Sequence, residues 1–512
     1  MTVQTDSHSP RPQMRAGADR QAAELSARLW SISGDLRGNM DASRFKDYIL
    51  GLLFYRCLSE CSQEGSSLEY RLEPRFLFSS MIQRIRDGSF SLTLLQEAVD
   101  SLTASAVTPA AKAAFDGIFD SMDLHSRELG RDEAQRTKLI AQVLSKIDGL
   151  PLSASQADMD VLGTAYMILI GLFASDAGKK GGEFFTPVQF SRLCARLACL
   201  GLENVPSVCD PAMGSASMLL EVLGQPGLSV EHVYGQEKNR TTYNLARMNM
   251  LIHGLPCSRF TFFNDDTIAS DQFGSRKFTV QVANPPYSQK WDADPEFLSD
   301  PRFQGPGRLA PRSYEDFAFI QHMVWHMEEN GRAAVLLPHG VLFRGGAEAD
   351  IRAWLIRDAD VLDAVIGLPA GCFHSTPIPV CCLVFRKNRG ERRGRILFVD
   401  ASGDFVPGKK QNTISDGALE RIVSAYSAWE EVPGYCRPVS SEEIRENGYN
   451  LNISRYVDTR EPEPDLDLAA IQKDLSARRA RCRALEKEVD AYLSRLGLGS
   501  PHLNSDPHRR MP

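Results

Sequence analysis

The spacing of hydrophobic residues changes along the chain and separates a helical N-terminal part from a mixed central part. In the first part apolar residues recur at helical spacing, as in RFKDYILGLLFYRCLSE at 44–60. A break at 149–155 precedes a second helical stretch at 157–175. We therefore predict an N-terminal helical domain over residues 21–155.

From about residue 205, short β-branched runs alternate with helical segments. The runs are PSVCD, HVYGQE, FTFFNDD, FTVQVANPP, AAVLLP, VLDAVIGLP and CCLVFRK. Continuous apolar strands separated by helices are typical of an α/β fold with a mostly parallel sheet covered on both faces. Ligands bind such sheets at the carboxyl ends of the strands. We therefore predict a catalytic domain over 156–455 with its functional residues at strand ends.

A charged, proline-containing stretch, EPEPDLD, follows the central part and indicates a hinge. Beyond it, residues 468–493 have a near-heptad apolar pattern that is broken at Arg478. This pattern fits either a terminal helix packed on the chain or a helix that docks on a partner, and we assign 456–498 to partner docking. Residues 1–20 and 499–512 are predicted to be a disordered arm and tail.

Composition narrows the class of protein. The chain has 512 residues, of which 43% are hydrophobic and 24% charged, as in soluble proteins of two or three domains. Its most apolar window, 161–175, is shorter than the roughly 18–20 residues of a membrane span, so we expect a soluble, cytoplasmic protein. The eleven cysteines form no C-x-x-C pair, and we expect no metal. A net charge of −7 argues against a chain that grips nucleic acid alone.

Acidic residues stand at three predicted strand ends. Asp210 and then Gly214 follow the first strand, Glu237 ends the second, and Asp266 lies just after the third. Three acids at neighbouring strand ends fit a neutral or cationic nucleoside better than a phosphate. Each acid alone could equally be a turn former or a helix cap.

A second motif, Asn284-Pro285-Pro286-Tyr287, ends the apolar run FTVQVA. Together with the turn DPAMGS at 210–215, it resembles adenine-specific amino-methyltransferases that use S-adenosylmethionine. With GGEFFTP at 181–187 and the helical N-terminal domain, the chain resembles the modification subunit of type I restriction–modification systems. The resemblance runs from about residue 30 to 490 and includes VIGLPAGCF and NGRAAVLLPHGVLFRGGAEADIR. It implies a Rossmann-like class I methyltransferase core that methylates N6 of a flipped-out adenine in double-stranded DNA.

The motif suits that chemistry because the lone pair of an adenine amino group is delocalised into the ring. The side-chain oxygen of Asn284 and the carbonyl of Pro285 can accept both N–H bonds and favour a pyramidal nitrogen. Proline rigidity fixes these acceptors in advance, which stabilises the developing charge at little reorganisation cost. Tyr287 can stack on the base, worth roughly 1–3 kcal/mol.

The resemblance also implies a set of cofactor-binding residues. They are Glu183, Phe184, Phe185, Thr186, Pro187 and Val188 at the methionine end, Asp210, Gly214, Ser215 and Ala216 in the turn, Glu237 at the ribose and Asp266 at the adenine edge. Two residues depart from the family pattern: Ala216 usually is Gly, and Met213 usually is Cys or Ala. Ala216 adds a methyl group to a turn whose backbone approaches the cofactor closely. The resemblance therefore does not decide how tightly this chain binds the cofactor.

The resemblance implies partners as well. No base-reading module is evident, so a separate specificity subunit would read the DNA and a second modification subunit would complete a clamp. Whether a restriction/translocase subunit joins stays open, and no membrane is involved. Two alternatives stay open: a protein glutamine-N5 methyltransferase, because an amide nitrogen poses the same lone-pair problem, and a catalytically impaired structural subunit.

Overall fold

The computed structural model describes residues 24–32, 42–63, 69–150, 156–177, 185–373, 378–408, 411–459 and 467–499. The predicted arm, 1–20, lies outside these residues, as does the predicted tail from residue 500 onward. The chain divides into two compact units, Met1–Thr459 and Arg460–Pro512. In the part of the chain that is described, no helix is long and apolar enough to cross a membrane.

The N-terminal part of the first unit is helical, and several helices begin at side-chain caps. The hydroxyls of Ser91 and Thr108 and the carboxylate of Asp132 accept backbone N–H groups at 3.2, 3.1 and 2.8 Å. Each cap satisfies a donor that the first helical turn leaves free. After a helical segment at 24–32, the helices are α1 (Ala42–Gln63), α2 (Phe78–Arg86), α3 (Leu92–Ala104), α4 (Pro109–Phe115), α5 (Glu133–Asp148) and α6 (Gln156–Ala177).

A sheet forms the centre of the first unit. Its strands are β1 (Asn204–Asp210), β2 (Ser229–Gln236), β3 (Phe260–Phe263), β4 (Phe278–Ala283), β5 (Met327–Pro338), β6 (Leu362–Gly367), β7 (Val380–Arg386), β8 (Arg395–Asp400) and β9 (Cys436–Ser440). Helices α7 (Val188–Cys199), α8 (Ser217–Leu223), α9 (Arg240–Ile252), α10 (Asp316–Trp325), α11 (Ala347–Arg357), α12 (Asp416–Ala428) and α13 (Ser441–Glu446) accompany it. Every residue of β6 is buried, as expected for a strand covered on both faces.

The strand order places a ligand-binding crevice between β1 and β4. The order is β3-β2-β1-β4-β5-β7-β6-β8-β9, with parallel pairing from β3 through β5 and antiparallel pairing of β7 and β9 with their neighbours. The chain moves outward from β1 to β2 and β3, and then crosses to the other side of β1 to form β4. Such a reversal opens a crevice at the carboxyl ends of the two strands.

The helical part is tied to the sheet layer through α9. The Arg247 guanidinium donates to the carbonyl oxygens of Ala113, Ala114 and Asp116 at 3.0, 3.1 and 2.8 Å. Asn244 donates to the carbonyl of Gly117 at 2.8 Å. A buried guanidinium needs such acceptors, so α9 is firmly attached to the C-terminal end of α4 and the residues that follow it.

The second unit contains one long helix, α14 (Leu468–Arg495), which begins at the Asp467 cap. None of its side chains is buried. The exposed apolar residues of this unit are Leu468, Ile471, Leu475, Leu485, Val489, Tyr492, Leu496 and Leu498.

Candidate active site

The turn after β4 holds Asn284 in a fixed orientation. The Asn284 Nδ2 donates to Thr186 Oγ1 at 2.9 Å, and the Tyr287 hydroxyl donates to Asn284 Oδ1 at 2.7 Å. In this arrangement the amide oxygen faces Tyr287 and the amide nitrogen faces Thr186. An amide oxygen has two lone pairs, so Asn284 Oδ1 can accept one further N–H group.

Behind the motif, the backbone is held to the start of α10. Ser288 has a φ of 52°, in the left-handed region, and its N–H donates to Asp316 Oδ1 at 3.1 Å. Asp316 is fully buried and also accepts from Arg344 Nη2 at 2.9 Å. This network fixes the chain direction just after Tyr287.

Aromatic rings surround Tyr287. Phe373 packs edge-on against its ring at a centroid distance of 6.2 Å, and Phe190 stacks on Phe373 at 4.7 Å. Burial raises the pKa of Tyr287 well above its ordinary value, so its hydroxyl stays a donor to Asn284. Phe373 was not among the predicted site residues, although VIGLPAGCF, which contains it, was part of the resemblance.

The turn after β1 has an unusual backbone. Gly214 and Ala216 both lie in the left-handed region, with φ of 54° and 64°. Ala216 stands immediately before α8, and its side chain is completely buried in the hydrophobic core. The Thr267 hydroxyl donates to the carbonyl of Pro211 at 2.6 Å, which joins this turn to the loop after β3.

Glu237 accepts a hydrogen bond from the same turn. Its Oε2 accepts the N–H of Gly214 at 3.1 Å and its Oε1 accepts the N–H of Asn239 at 2.8 Å. Burial raises the pKa of Glu237, and burial with the nearby Glu237 charge raises the pKa of Asp210 to about 8. Asp210 therefore keeps its proton at neutral pH, and the site carries less negative charge than its carboxyl groups suggest.

Ser215 and Met213 complete the turn. The Ser215 carbonyl accepts from Asn249 Nδ2 at 2.8 Å, while its buried hydroxyl has no hydrogen-bond partner within the described residues. The Met213 sulfur packs on Gly235 so closely that a Cβ there would lie 2.3 Å from it. A buried hydroxyl without a protein partner is able to bind a polar ligand atom.

Asp266 is occupied by groups of the protein itself. Its Oδ1 accepts the N–H groups of Ile268 and Ala269, both at 3.0 Å, and its Oδ2 accepts from Lys238 Nζ at 2.8 Å. Burial acts to raise the pKa of Asp266, but the hydrogen bonds from Ala269 and Lys238 outweigh it and lower the pKa.

The predicted site residues come from neighbouring strand ends. Cys209 of β1 pairs with Gln281 of β4, so Asp210, the last residue of β1, and Asn284, the residue after β4, lie at the same edge of the sheet. Phe185 packs against Gly171 of α6, and the Pro187 carbonyl accepts the N–H of Phe190 at 2.9 Å. The remaining predicted residues are Pro285, buried in the motif, Pro286, half-buried beside it, Val188, which starts α7, and Glu183 and Phe184, which lie outside the described residues.

One cluster of metal-ligand types lies apart from these residues. Ligand atoms of Asp271, His322 and His326 are within 4.8 Å of one another. The ring nitrogens of His326 contact Asp271 Oδ2 at 3.0 Å and the Arg276 carbonyl at 2.6 Å. Arg302 Nη1 lies 3.2 Å from His322 Nδ1, and a guanidinium at that distance repels a further cation. We therefore assign this cluster a structural role between α10 and the loop before β4.

A mostly parallel sheet with acids after β1 and β2 and an Asn-Pro-Pro-Tyr turn after β4 defines an α/β amino-methyltransferase. The chain belongs to the N-6 DNA methylase family, which residues 157–465 match, and residues 25–147 match the HsdM N-terminal domain. These matches confirm the resemblance and the predicted fold class.

Similar proteins agree with this membership. The type I restriction enzyme MpnII methylase subunit of Mycoplasma pneumoniae is 34% identical over 88% of this chain and 92% of its own length. The HindI methylase subunit of Haemophilus influenzae is 31% identical over 66% of this chain and 79% of its own. The crystal structure of a type I restriction-modification methyltransferase subunit from Streptococcus thermophilus superposes with a TM-score of 0.80, at 36% identity, over 86% of this chain and 100% of its own.

Proposed function

We propose that this chain transfers a methyl group from S-adenosylmethionine to N6 of adenine in double-stranded DNA, as the modification subunit of a type I restriction–modification complex. The observation that carries the proposal is the Asn284 amide, held by Thr186 and Tyr287 beside the turn after β1. Family membership favours this function over glutamine-N5 methylation. The buried Ala216 methyl group gives no support to an impaired structural subunit.

Two acceptors activate the target amine in this proposal. Asn284 Oδ1, through its remaining lone pair, and the Pro285 carbonyl accept the two N–H bonds and draw the nitrogen lone pair out of conjugation. The acceptors are fixed before the substrate arrives, so they stabilise the positive charge that develops on nitrogen. A neutral amide oxygen does not retain a proton, so the proton that the methylated nitrogen loses passes to water.

The aromatic rings hold the flipped base. We propose that the adenine stacks on Tyr287, whose ring is fixed by its hydroxyl bond to Asn284. Phe373 packs edge-on against the same ring, so the base would join an existing aromatic contact. Stacking on an aromatic ring is worth roughly 1–3 kcal/mol, which helps to offset the cost of extracting the base from the duplex.

The strand-end residues suit S-adenosylmethionine. The Glu237 carboxylate and the protonated Asp210 carboxyl provide hydrogen-bonding groups at neighbouring strand ends, and the Ser215 hydroxyl, which has no partner within the described residues, provides a polar contact in the turn. When bound, the cofactor supplies an electrophilic methyl group on a sulfonium. The residues that would hold it are Phe185, Thr186, Pro187, Val188, Asp210, Gly214, Ser215, Ala216, Glu237 and Asp266, with Glu183 and Phe184 by family resemblance.

We further propose that a specificity subunit reads the DNA sequence and that a second copy of this chain completes a clamp around the duplex, in the cytoplasm. The net charge of −7 supports the need for partners, because tight binding of DNA phosphates requires clustered cations. The exposed apolar residues of α14, such as Ile471 and Leu475, support this helix as the segment that docks on a partner.

Methyl transfer can be tested with the chain and its specificity subunit purified together. The complex is incubated with methyl-labelled S-adenosylmethionine and duplex DNA, and the label is located by nucleoside and peptide analysis. We expect label on N6 of adenine in DNA and none when the target is already N6-methyladenine. Label on glutamine, or cofactor binding without any transfer, would contradict the proposal.

A further inference from the structure

The residue after Glu237 obstructs the proposed contact between Asp266 and the adenine of the cofactor. Lys238 Nζ lies 2.8 Å from Asp266 Oδ2, and the other oxygen, Oδ1, already accepts two backbone N–H groups. The Lys238 side chain is largely exposed, so it is free to change position. An adenine amino group that donates to Asp266 Oδ2 must therefore compete with an ammonium group.

A second acid, which interacts electrostatically with Lys238 and Asp266, is largely buried. Glu315 precedes α10 and is only 6% exposed. Its backbone is fixed, because its N–H donates to the Gln289 carbonyl at 3.0 Å and its own carbonyl accepts the N–H of Ala318 at 2.8 Å. Within the described residues, no group donates a hydrogen bond to its carboxylate. Such a group is costly to bury unless it stays protonated or gains a cation.

The charged groups that face Glu315 are Asp266, Lys238 and Asp316. Burial and then the Asp266 charge raise the pKa of Glu315 to about 7, Lys238 acts in the opposite direction, and Asp316 adds to the rise. Asp316 is already paired with Arg344 at 2.9 Å. Glu237 has both oxygens engaged by backbone N–H groups. Glu315 is therefore the acid in this group that is available to Lys238.

We propose that Lys238 exchanges Asp266 for Glu315 when the cofactor binds, so that its aliphatic stem covers the adenine ring and the new ion pair closes the pocket. Glu315 and Lys238 are thus positioning residues, and the inference rests on the proposed cofactor site. The exchange leaves each group with a hydrogen-bond partner: the adenine amino group donates to Asp266, and the displaced ammonium gains Glu315. Long cationic side chains commonly cover an apolar surface with their methylene groups in this way.

The exchange predicts that cofactor binding releases a proton. Free Glu315 titrates with a pKa of about 7, and an ammonium partner holds its carboxylate ionised after binding. Near pH 7 the bound protein therefore carries fewer protons than the free protein. Any proton that Asp210 exchanges on binding is common to both proteins, so the difference between wild type and Glu315→Gln reports Glu315 alone.

Calorimetry with S-adenosylhomocysteine, in buffers of different ionisation enthalpy between pH 6 and 8.5, measures affinity and proton release together. Its inosine counterpart, which has a carbonyl oxygen in place of the adenine amino group, is the matched ligand. Glu329→Gln is the matched variant, since Glu329 is exposed and lies at the start of β5, at the opposite edge of the sheet.

We expect Glu315→Gln to bind S-adenosylhomocysteine about five- to tenfold more weakly at pH 8 and to lose the proton release near pH 7. The inosine ligand should bind wild type and variant equally, and Glu329→Gln should resemble wild type. The free Glu315→Gln protein should melt no lower at pH 8.5, because the change removes a buried charge next to Asp266.

Wild-type affinity and proton release in Glu315→Gln would overturn the exchange. An equal loss of affinity for both ligands would also overturn it, since Glu315 would then act without the amino group. If wild type bound neither nucleoside, the cofactor site itself would be wrong and the exchange with it.

Discussion

Replacing Asn284 by Ala tests the central step most directly. In the free protein the change removes the bond from Nδ2 to Thr186 Oγ1 and the bond that Oδ1 accepts from Tyr287. Each such bond contributes about 0.5–1.5 kcal/mol net, so unfolding should become easier by about 1–3 kcal/mol in total. The chain therefore remains folded, and a loss of activity reports chemistry.

The fall in the transfer rate, expressed as a free energy, should exceed the fall in the free energy of unfolding. Asn284 Oδ1 provides one of the two acceptors for the amine, and deleting one preorganised polar group of this kind costs about 10²–10³ in rate. Within the described residues Asn284 makes no hydrogen bond to the turn after β1, so affinity for S-adenosylmethionine should stay within about twofold.

Single-turnover methylation of duplex DNA and calorimetry of cofactor binding measure the two quantities separately. Thr186→Val removes the bond that orients the amide and should slow transfer by about five- to tenfold; because Thr186 also belongs to the proposed cofactor site, its transfer rate is measured with saturating cofactor. Asn284→Ala transfer within tenfold of wild type would refute the acceptor role. Loss of cofactor binding in Asn284→Ala would show that Asn284 acts in the cofactor site instead.

Three further changes have defined outcomes. Burial raises the pKa of Asp210 to about 8. Between about pH 4 and 8 the folded chain therefore keeps a proton that the unfolded chain releases. The free energy of unfolding then falls by about 1.4 kcal/mol per pH unit as the pH rises. Asp210→Asn should remove this dependence, seen as a higher melting temperature than wild type at pH 8 but not at pH 4. Ala216→Gly relieves about 1 kcal/mol of strain at φ 64° but loses about 0.8 kcal/mol of methyl burial, so chemical denaturation and cofactor affinity should barely change. A chain ending at Thr459 should bind cofactor normally in calorimetry and fail to co-purify with the specificity subunit.

The fold and the positions of the polar turns could be predicted from sequence because both depend on local patterns. Continuous apolar runs indicate a parallel sheet, and the carboxyl ends of such strands share one edge, so Asp210, Glu237 and Asn284 had to lie near one another. The structure confirms the sheet and the adjacency of β1 and β4.

Contacts between distant segments could not be predicted in this way. Thr186 reaches Asn284 from 98 residues earlier in the chain, and Phe373 reaches Tyr287 from the far side of β5. Neither contact follows from periodicity, because both depend on how loops close over the sheet edge. The partner of Asp266 was equally hidden, since Lys238 is one exposed lysine among many until its distance to the acid is known.

The hydrogen-bond acceptors for the target amine and for the cofactor adenine are held in different ways. Asn284 Oδ1 holds one internal donor and retains a lone pair, so the target amine can be added without breaking a bond. Asp266 already accepts hydrogen bonds from the Lys238 ammonium and from two backbone N–H groups, so the adenine of the cofactor must displace one of these donors. Adding the target amine to Asn284 costs little and favours rapid capture of a flipped base. Exchanging the partner of Asp266, in contrast, couples cofactor binding to a local rearrangement. Cofactor affinity should therefore vary with pH and with Glu315, while the response of the transfer step to Asn284 should stay the same at every pH where cofactor is saturating.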